Sequence, residues 1–336
     1  MISLITIIPL VLSFLLVLFF APIWIRKAKQ IGLVWDDKNK IGADKVAGSG
    51  GIIVLFSFII SIYLFVAFRT FILGDSLRLI EIISLANVVL LSALVGFMDD
   101  LMGWQRGGLA IRTRIILVAI AAIPLMAINA GGHEISIPFI GAVNFGVLYP
   151  LIFIPLGIVA TTTTFNFLAG FNGLEAGQGV ILLSALSLVA FLTGSSWLAV
   201  AGLCMVAALA AFLLYNSCPA RVFPGDVLTY AVGSLVGTMA ILGNFEKIAV
   251  FFFVPYILEV ALKLRGGLAK SSFGRPMRDG SLELLHDKIY GSTHLAIWTL
   301  KKLGITPTEK RAVYAIWLFQ IIVILAGFFI FGRGLV

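Results

Sequence analysis

Residues 147–165 read VLYPLIFIPLGIVATTTTF, residues 177–193 read GQGVILLSALSLVAFLT, and residues 197–215 read WLAVAGLCMVAALAAFLLY. The whole stretch 135–220 around them contains one charged residue, Glu175. A helix of roughly 20 residues crosses the ~30 Å hydrocarbon core of a bilayer. These runs approach that length and lack the charged face that a water-facing helix carries. Gly, Asn and Pro, rather than charges, separate them. Seven further apolar runs lie on either side, at 1–25, 51–73, 79–98, 112–130, 227–243, 248–265 and 311–332. The expected fold class is an all-α polytopic membrane protein with about ten transmembrane helices. Pro22, Pro124, Pro155 and Pro255 lie inside or near the ends of spans, where membrane helices tolerate kinks.

Composition agrees. Of 336 residues, 60% are hydrophobic and 12% charged, half the charged share of an ordinary soluble protein, about 25%. This excludes a disordered chain, a collagen, a disulfide scaffold and a free nucleic-acid-binding domain. Cys204 and Cys218 belong to no CxxC or His/Cys cluster and read as free thiols. The first 25 residues are uncharged and the basic residues follow them, an arrangement unlike a cleaved signal peptide. No internal repeat or soluble second domain is visible, so residues 1–336 read as one integral-membrane domain.

Charge placement orients the chain. Only Arg69, Arg78, Lys247 and Arg333 fall on one face of the expected topology, and the other twenty of the 24 Lys and Arg fall on the opposite face. The positive-inside rule makes the richer face cytoplasmic and puts both termini outside. The cytoplasmic loops are then about 26–50, 99–111, 166–176, 216–226 and 266–310. Most of their basic residues serve orientation and anionic membrane lipids. The stretch 292–303 reads as a short interfacial helix, and 133–146 as a small outer β-hairpin. His133, on the outer face, reads as structural.

The inner loops carry more chemistry than helix connections need. The third span ends in Asp99-Asp100, adjacent carboxylates that repel unless a cation is near. Residues 166–178 read NFLAGFNGLEAGQ, placing Asn166, Asn172, Glu175 and Gln178 among glycines. An asparagine amide suits both a metal and a base edge, and glycines let backbone N–H groups approach a ligand. Asp226 follows Phe223-Pro224-Gly225 and could be a helix cap or a ligand. Lys40, Lys45, Arg112, Arg114, Arg275 and Arg278 supply cations, with His286 and His294 further along. Hard oxygen ligands beside guanidinium groups are what a Mg²⁺–diphosphate substrate requires. No GxxxxGK loop supports an ordinary ATPase.

Together these motifs resemble the polyprenyl-phosphate N-acetylhexosamine-1-phosphate transferases, over nearly the whole length. The segment AGFNGLEAGQ is most similar to the eukaryotic and archaeal branch that uses UDP-GlcNAc and dolichyl phosphate; bacterial relatives using undecaprenyl phosphate typically have Asp-Gly-Leu-Asp-Gly there. The resemblance implies ten spans, cytoplasmic active-site loops, and Mg²⁺ (or Mn²⁺) held by Asn166 and Asp226. It implies that Asn172 with Gly173 reads uracil beside Glu175, and that Asp99 and Asp100 face the lipid phosphate and metal as catalytic residues. Arg114 sits where the family usually has a phosphate-binding Lys, and Lys40 matches a basic position in the first loop, both implied as substrate-binding residues. The family's last loop usually carries a His-rich or Arg-His-Arg motif on the diphosphate; here Arg275, Arg278 and His286 are what the loop offers.

The implied reaction converts UDP-GlcNAc and polyprenyl phosphate into polyprenyl-diphosphate-GlcNAc and UMP, the first step of lipid-linked oligosaccharide assembly for N-glycosylation. The setting would be the cell membrane of an archaeon or bacterium, or the endoplasmic reticulum of a eukaryote. Another UDP-hexosamine or an undecaprenyl acceptor is the alternative within the class. A transporter or flippase is the competing class, but its polar groups usually sit near the bilayer midplane, often in two related halves. Gly233 and Gly237 could form a homodimer face, although packing within the bundle is the favoured reading.

Overall fold

The computed structural model describes residues 4–42, 45–132, 134–137 and 141–332. It is a helical bundle with three two-stranded antiparallel ribbons. Among the described residues, eight helical segments are long and apolar enough to cross a membrane. They comprise α1 (Leu4–Ile31), α2 (Gly51–Phe71), α3 (Leu79–Arg106), α6 (Ile154–Phe167, continuing a π turn at Tyr149–Phe153), α7 (Leu174–Leu192), α8 (Ser196–Asn216), α9 (Gly225–Gly243) and α13 (Glu309–Phe331).

The other two expected spans are interrupted. The run 112–130 becomes α4 (Ile111–Ala121) and α5 (Ile123–Ala127), and 248–265 becomes α10 (Glu246–Phe252) and α11 (Val254–Arg265). Pro124 and Pro255 each stand in the first two residues of the second piece. A proline there has no N–H to return and its ring crowds the preceding turn, so each run divides just before it.

The chain packs around α9, whose residues Val227 to Ile241 are all buried. A helix apolar and enclosed on every side must be central. It packs against α3 and α6. Gly233 and Gly237 face α6 closely: a Cβ at Gly233 would stand 2.7 Å from Thr162 Cα, and one at Gly237 2.5 Å from Thr161 Oγ1. The small-residue pair therefore serves packing inside the bundle.

The ribbons are β1 (Val34–Trp35) with β2 (Val46–Ala47), β3 (Glu134–Ile137) with β4 (Gly141–Asn144), and β5 (Arg275–Pro276) with β6 (Leu282–Glu283). The second is the expected hairpin, in register Glu134↔Asn144 through Ile137↔Gly141. The other two were not expected, each strand being only two residues long. His133 and Arg333 lie outside the described residues. Helix α12 (Ser292–Lys302) forms where a short helix was expected and packs against α11 and α13.

Helix boundaries move the chemistry out of the loops. Helix α3 continues to Arg106, so Asp99 and Asp100 sit on a helix rather than opening a loop. Asn166 belongs to the last turn of α6, Glu175 to the first turn of α7 and Asp226 to the first turn of α9. Both cysteines are free, Cys204 buried within α8.

Candidate active site

Backbone pairing joins two distant loops beside the α9 N-terminus. Phe223 N donates to Ala47 O at 2.7 Å, Gly50 N to Phe223 O at 2.9 Å and Gly51 N to Pro224 O at 2.8 Å. Ala47 also forms a parallel bridge with Val222. The start of α2 and the start of α9 are thereby held together. Helix α3 comes equally close: a Cβ at Gly96 would stand 2.3 Å from the carbonyl oxygen of Asp226. Gly225 has φ +72°, and a Cβ there would meet Asp100 Oδ2 at 2.2 Å. Only glycine suits that position on both counts.

These contacts form a cleft of about 470 Å³ at the ends of α3, α6, α7 and α9. Asp99, Asp100, Arg114, Asn166, Asn172, Glu175 and Asp226 all line it. Seven of the expected residues, drawn from five helices and a loop, converge on one space. Arg114 Nη1 lies 2.9 Å from Asp99 Oδ2 and 3.6 Å from Asp226 Oδ2. Asn166 Nδ2 donates to Asp226 Oδ2 at 3.1 Å, and Thr229 Oγ1 donates to Asn166 Oδ1 at 3.0 Å. The backbone N–H of Leu109 donates to Asp99 Oδ1. Glu175 Oε1 accepts from Gly170 N at 2.9 Å. Gly173 precedes α7 in a left-handed conformation, φ +84°.

Several expected roles change. Asp100 turns its carboxylate to the first turn of α9, accepting from Asp226 N at 2.8 Å. That N–H is one of the unpaired donors at a helix start, so Asp100, while lining the cleft, holds the metal-ligand candidate Asp226 in place. Lys40 does not line the cleft; its ammonium pairs with Asp37 and, at 2.9 Å, with Glu309 Oε2. Burial disfavours that ammonium, but the two carboxylates outweigh the penalty and raise its pKa above 10.5. Arg275, Arg278 and His286 are not among the cleft-lining residues; both arginines are exposed on the β5–β6 ribbon, and His286 stacks edge-on against His294 and Tyr290. The last loop instead sends Phe273 to the cleft.

Reading the sequence missed Asp37, Asn39 and Glu309. Asn172 Nδ2 donates to Asp37 Oδ2 at 2.9 Å, and Asn172 N to Glu309 Oε1 at 2.8 Å. Asn39 bridges Gly170 O, Glu309 Oε1 and Gly274 N. Cys218 Sγ donates to Glu309 Oε2 at 3.3 Å, and burial followed by that carboxylate pushes its thiol up to about 11. The available signal was Asp36-Asp37 within a loop read only for its cations. Glu309 carried no signal, because an acidic residue opening a helix is ordinary.

The oxygen donors fit a hard divalent cation. Asp99, Asp226 and Asn166 offer carboxylate and amide oxygens, and among the described residues no sulfur or imidazole lines the cleft. Among the described residues, no three or more His, Cys, Asp and Glu form a metal cage by themselves. Mg²⁺ does not require such a cage, since it is usually held by one or two carboxylates together with substrate phosphates and water.

A bundle of membrane-length helices enclosing a carboxylate, amide and guanidinium cleft is the frame of a membrane-embedded transferase. Residues 82–244 match the model of glycosyl transferase family 4. A protein of Saccharolobus solfataricus named as a UDP-N-acetylglucosamine–dolichyl-phosphate N-acetylglucosaminephosphotransferase is 33% identical over 314 residues, covering 92% of this chain and 91% of that one. Proteins of the same name from Sulfolobus acidocaldarius (32%, covering 74% of each chain) and Dictyostelium discoideum (30%, covering 68% of this chain and 64% of that one) are also similar. The chain belongs to glycosyl transferase family 4, the family its motifs resemble.

Proposed function

We propose that the protein transfers GlcNAc-1-phosphate from UDP-GlcNAc to a membrane polyprenyl phosphate of the dolichyl type, releasing UMP. The convergence of Asp99, Arg114, Asn166, Asn172 and Asp226 on one cleft carries this reading, alongside relatives named for that reaction. The lipid phosphate oxygen attacks the sugar-bearing phosphorus in line, the P–O bond to the UMP phosphate breaks, and UMP leaves. A phosphomonoester has a second pKa near about 6, so the attacking phosphate is largely dianionic at neutral pH. Asp99 needs only to orient it or accept a residual proton. Arg114, already beside two carboxylates, has further N–H donors for phosphate oxygens. Asn166 and Asp226 would hold Mg²⁺, which when bound supplies neutralisation of the diphosphate charge.

On this reading the cleft faces the cytoplasm, the termini lie outside, and the two proline-broken runs complete ten spans of a single domain. The twenty basic residues assigned to the cleft side support that orientation. The membrane setting follows from the acceptor, whose prenyl tail stays in the bilayer while its phosphate reaches the cleft. The test is UMP release by purified protein with a panel of UDP-sugars and prenyl phosphates of different lengths. UDP-GlcNAc with a dolichyl-type phosphate should be the fastest pair. No UMP release with any pair would overturn the proposal.

A further inference from the structure

At one wall of the cleft, hydrogen bonds to two carboxylates meet at one residue. Asn172 is 5% exposed. Its side-chain N–H₂ is committed to Asp37 and its backbone N–H to Glu309. Asp37 is itself 7% exposed and salt-bridged to Lys40, which also binds Glu309. Asn39 accepts Gly274 N–H and donates to Glu309, tying the last loop to the same knot. Four chain segments far apart in sequence therefore converge on the orientation of one amide.

That orientation has a chemical consequence. An amide presents a donor at one end and an acceptor at the other. Asp37, paired with Lys40, only accepts, so the N–H₂ end of Asn172 must face it. The reversed amide would set oxygen against oxygen. Asn172 Oδ1 has no hydrogen-bond partner among the described residues, and its side chain lines the cleft.

We propose that Asp37 and Glu309 are positioning residues that fix Asn172 with its carbonyl oxygen as the acceptor offered to the base, so that the site selects a pyrimidine bearing a ring N–H. Uracil has that donor at N3, whereas cytosine has a lone pair there. The inference rests on the proposed nucleotide reading and deepens it by naming what sets base choice. Asp37 supplies the direction of the amide and Glu309 its position along the backbone. Lys40 keeps the two carboxylates together, which accounts for an ammonium turned away from the cleft.

The test is binding of UMP, CMP and N3-methyl-UMP by calorimetry to the purified wild type, Asp37→Asn and Glu309→Gln. The wild type should prefer UMP to CMP by about tenfold or more, because a polar site rejects a base that leaves its groups unpaired, and should discriminate likewise against N3-methyl-UMP. Asp37→Asn can donate to Asn172 and so lets the amide reverse. Its UMP-to-CMP preference should collapse to about threefold or less, with CMP binding strengthened. General damage to the fold would weaken both nucleotides and could not strengthen CMP. Glu309→Gln should weaken UMP while keeping the preference for it. A wild type that binds UMP selectively and an Asp37→Asn variant with the same selectivity would overturn this inference alone. A wild type that binds no UMP would overturn the nucleotide reading, and this inference with it.

Discussion

The carboxylate of Asp100, on α3, accepts the backbone N–H of Asp226, the second residue of α9, at 2.8 Å. Its other oxygen lies 3.4 Å from Val227 N. One helix thus supplies from its side the cap that another lacks at its own start, and the capped residue is the carboxylate expected on the metal. Asp100→Ala should lower stability by about 1 kcal/mol, as for loss of a helix cap, and reduce turnover. Asp100→Asn retains an acceptor oxygen and should fall between that variant and the wild type. Thermal unfolding in detergent and UMP release measure the two effects; full turnover in Asp100→Ala would remove the positioning role.

Asp226→Asn keeps the backbone N–H that Asp100 holds and changes only the side chain. It should fold like the wild type and lose turnover, as should Asn166→Ala. Chelation should silence the wild type, with Mg²⁺ restoring it and Mn²⁺ substituting, while raised Mg²⁺ rescues the variants only in part. Wild-type activity of both variants at limiting Mg²⁺ would falsify the metal assignment.

Asp99 separates two mechanisms. If the lipid phosphate attacks directly, Asp99→Asn should lose only part of its activity, and the deficit should shrink as pH rises through roughly 6, where the phosphate becomes dianionic. An obligatory covalent nucleophile would instead leave no turnover at any pH. The measurement is UMP release from pH 5.5 to 9, beside a search for phosphorylated protein with UDP-GlcNAc alone. An acid-labile label on Asp99 that forms and decays at the turnover rate would sink direct attack.

His294, within α12, is fully buried; its Nδ1 accepts Tyr290 N–H at 3.4 Å, and its Nε2 lies 3.1 Å from Phe273 O. These partners suit a neutral ring protonated at Nε2. Burial lowers its pKa below the usual 6.5, His286 and Lys263 adding to the effect against the Phe273 hydrogen bond. The unfolded chain therefore takes up a proton near pH 6.5 that the folded chain does not. Stability should be full above that pH and decline on acidification towards the folded pKa. His294→Gln should flatten the slope of the unfolding temperature between pH 5 and 7; an unchanged slope would show that another group sets it.

The sequence by itself determined the membrane class, most helix positions and much of the cleft, because these follow from local properties. Apolar runs such as 197–215 can satisfy their backbone in lipid only as helices, and Asn166, Asn172 and Asp226 stand out where a plain connection needs no such groups. The division of the runs before Pro124 and Pro255 was implicit in the residues, although a hydropathy window averages across it. What tertiary structure alone decided was the direction of each polar side chain. Lys40 and Arg114 are both basic residues among the chemistry-bearing segments, yet one faces a buried carboxylate pair and the other the cleft. Asp99 and Asp100 are neighbours, but α3 turns about 100° per residue, so one meets Arg114 and the other the start of α9. Glu309 lies 137 positions from Asn172, and no local pattern can state a contact that exists only after α13 has packed beside α7.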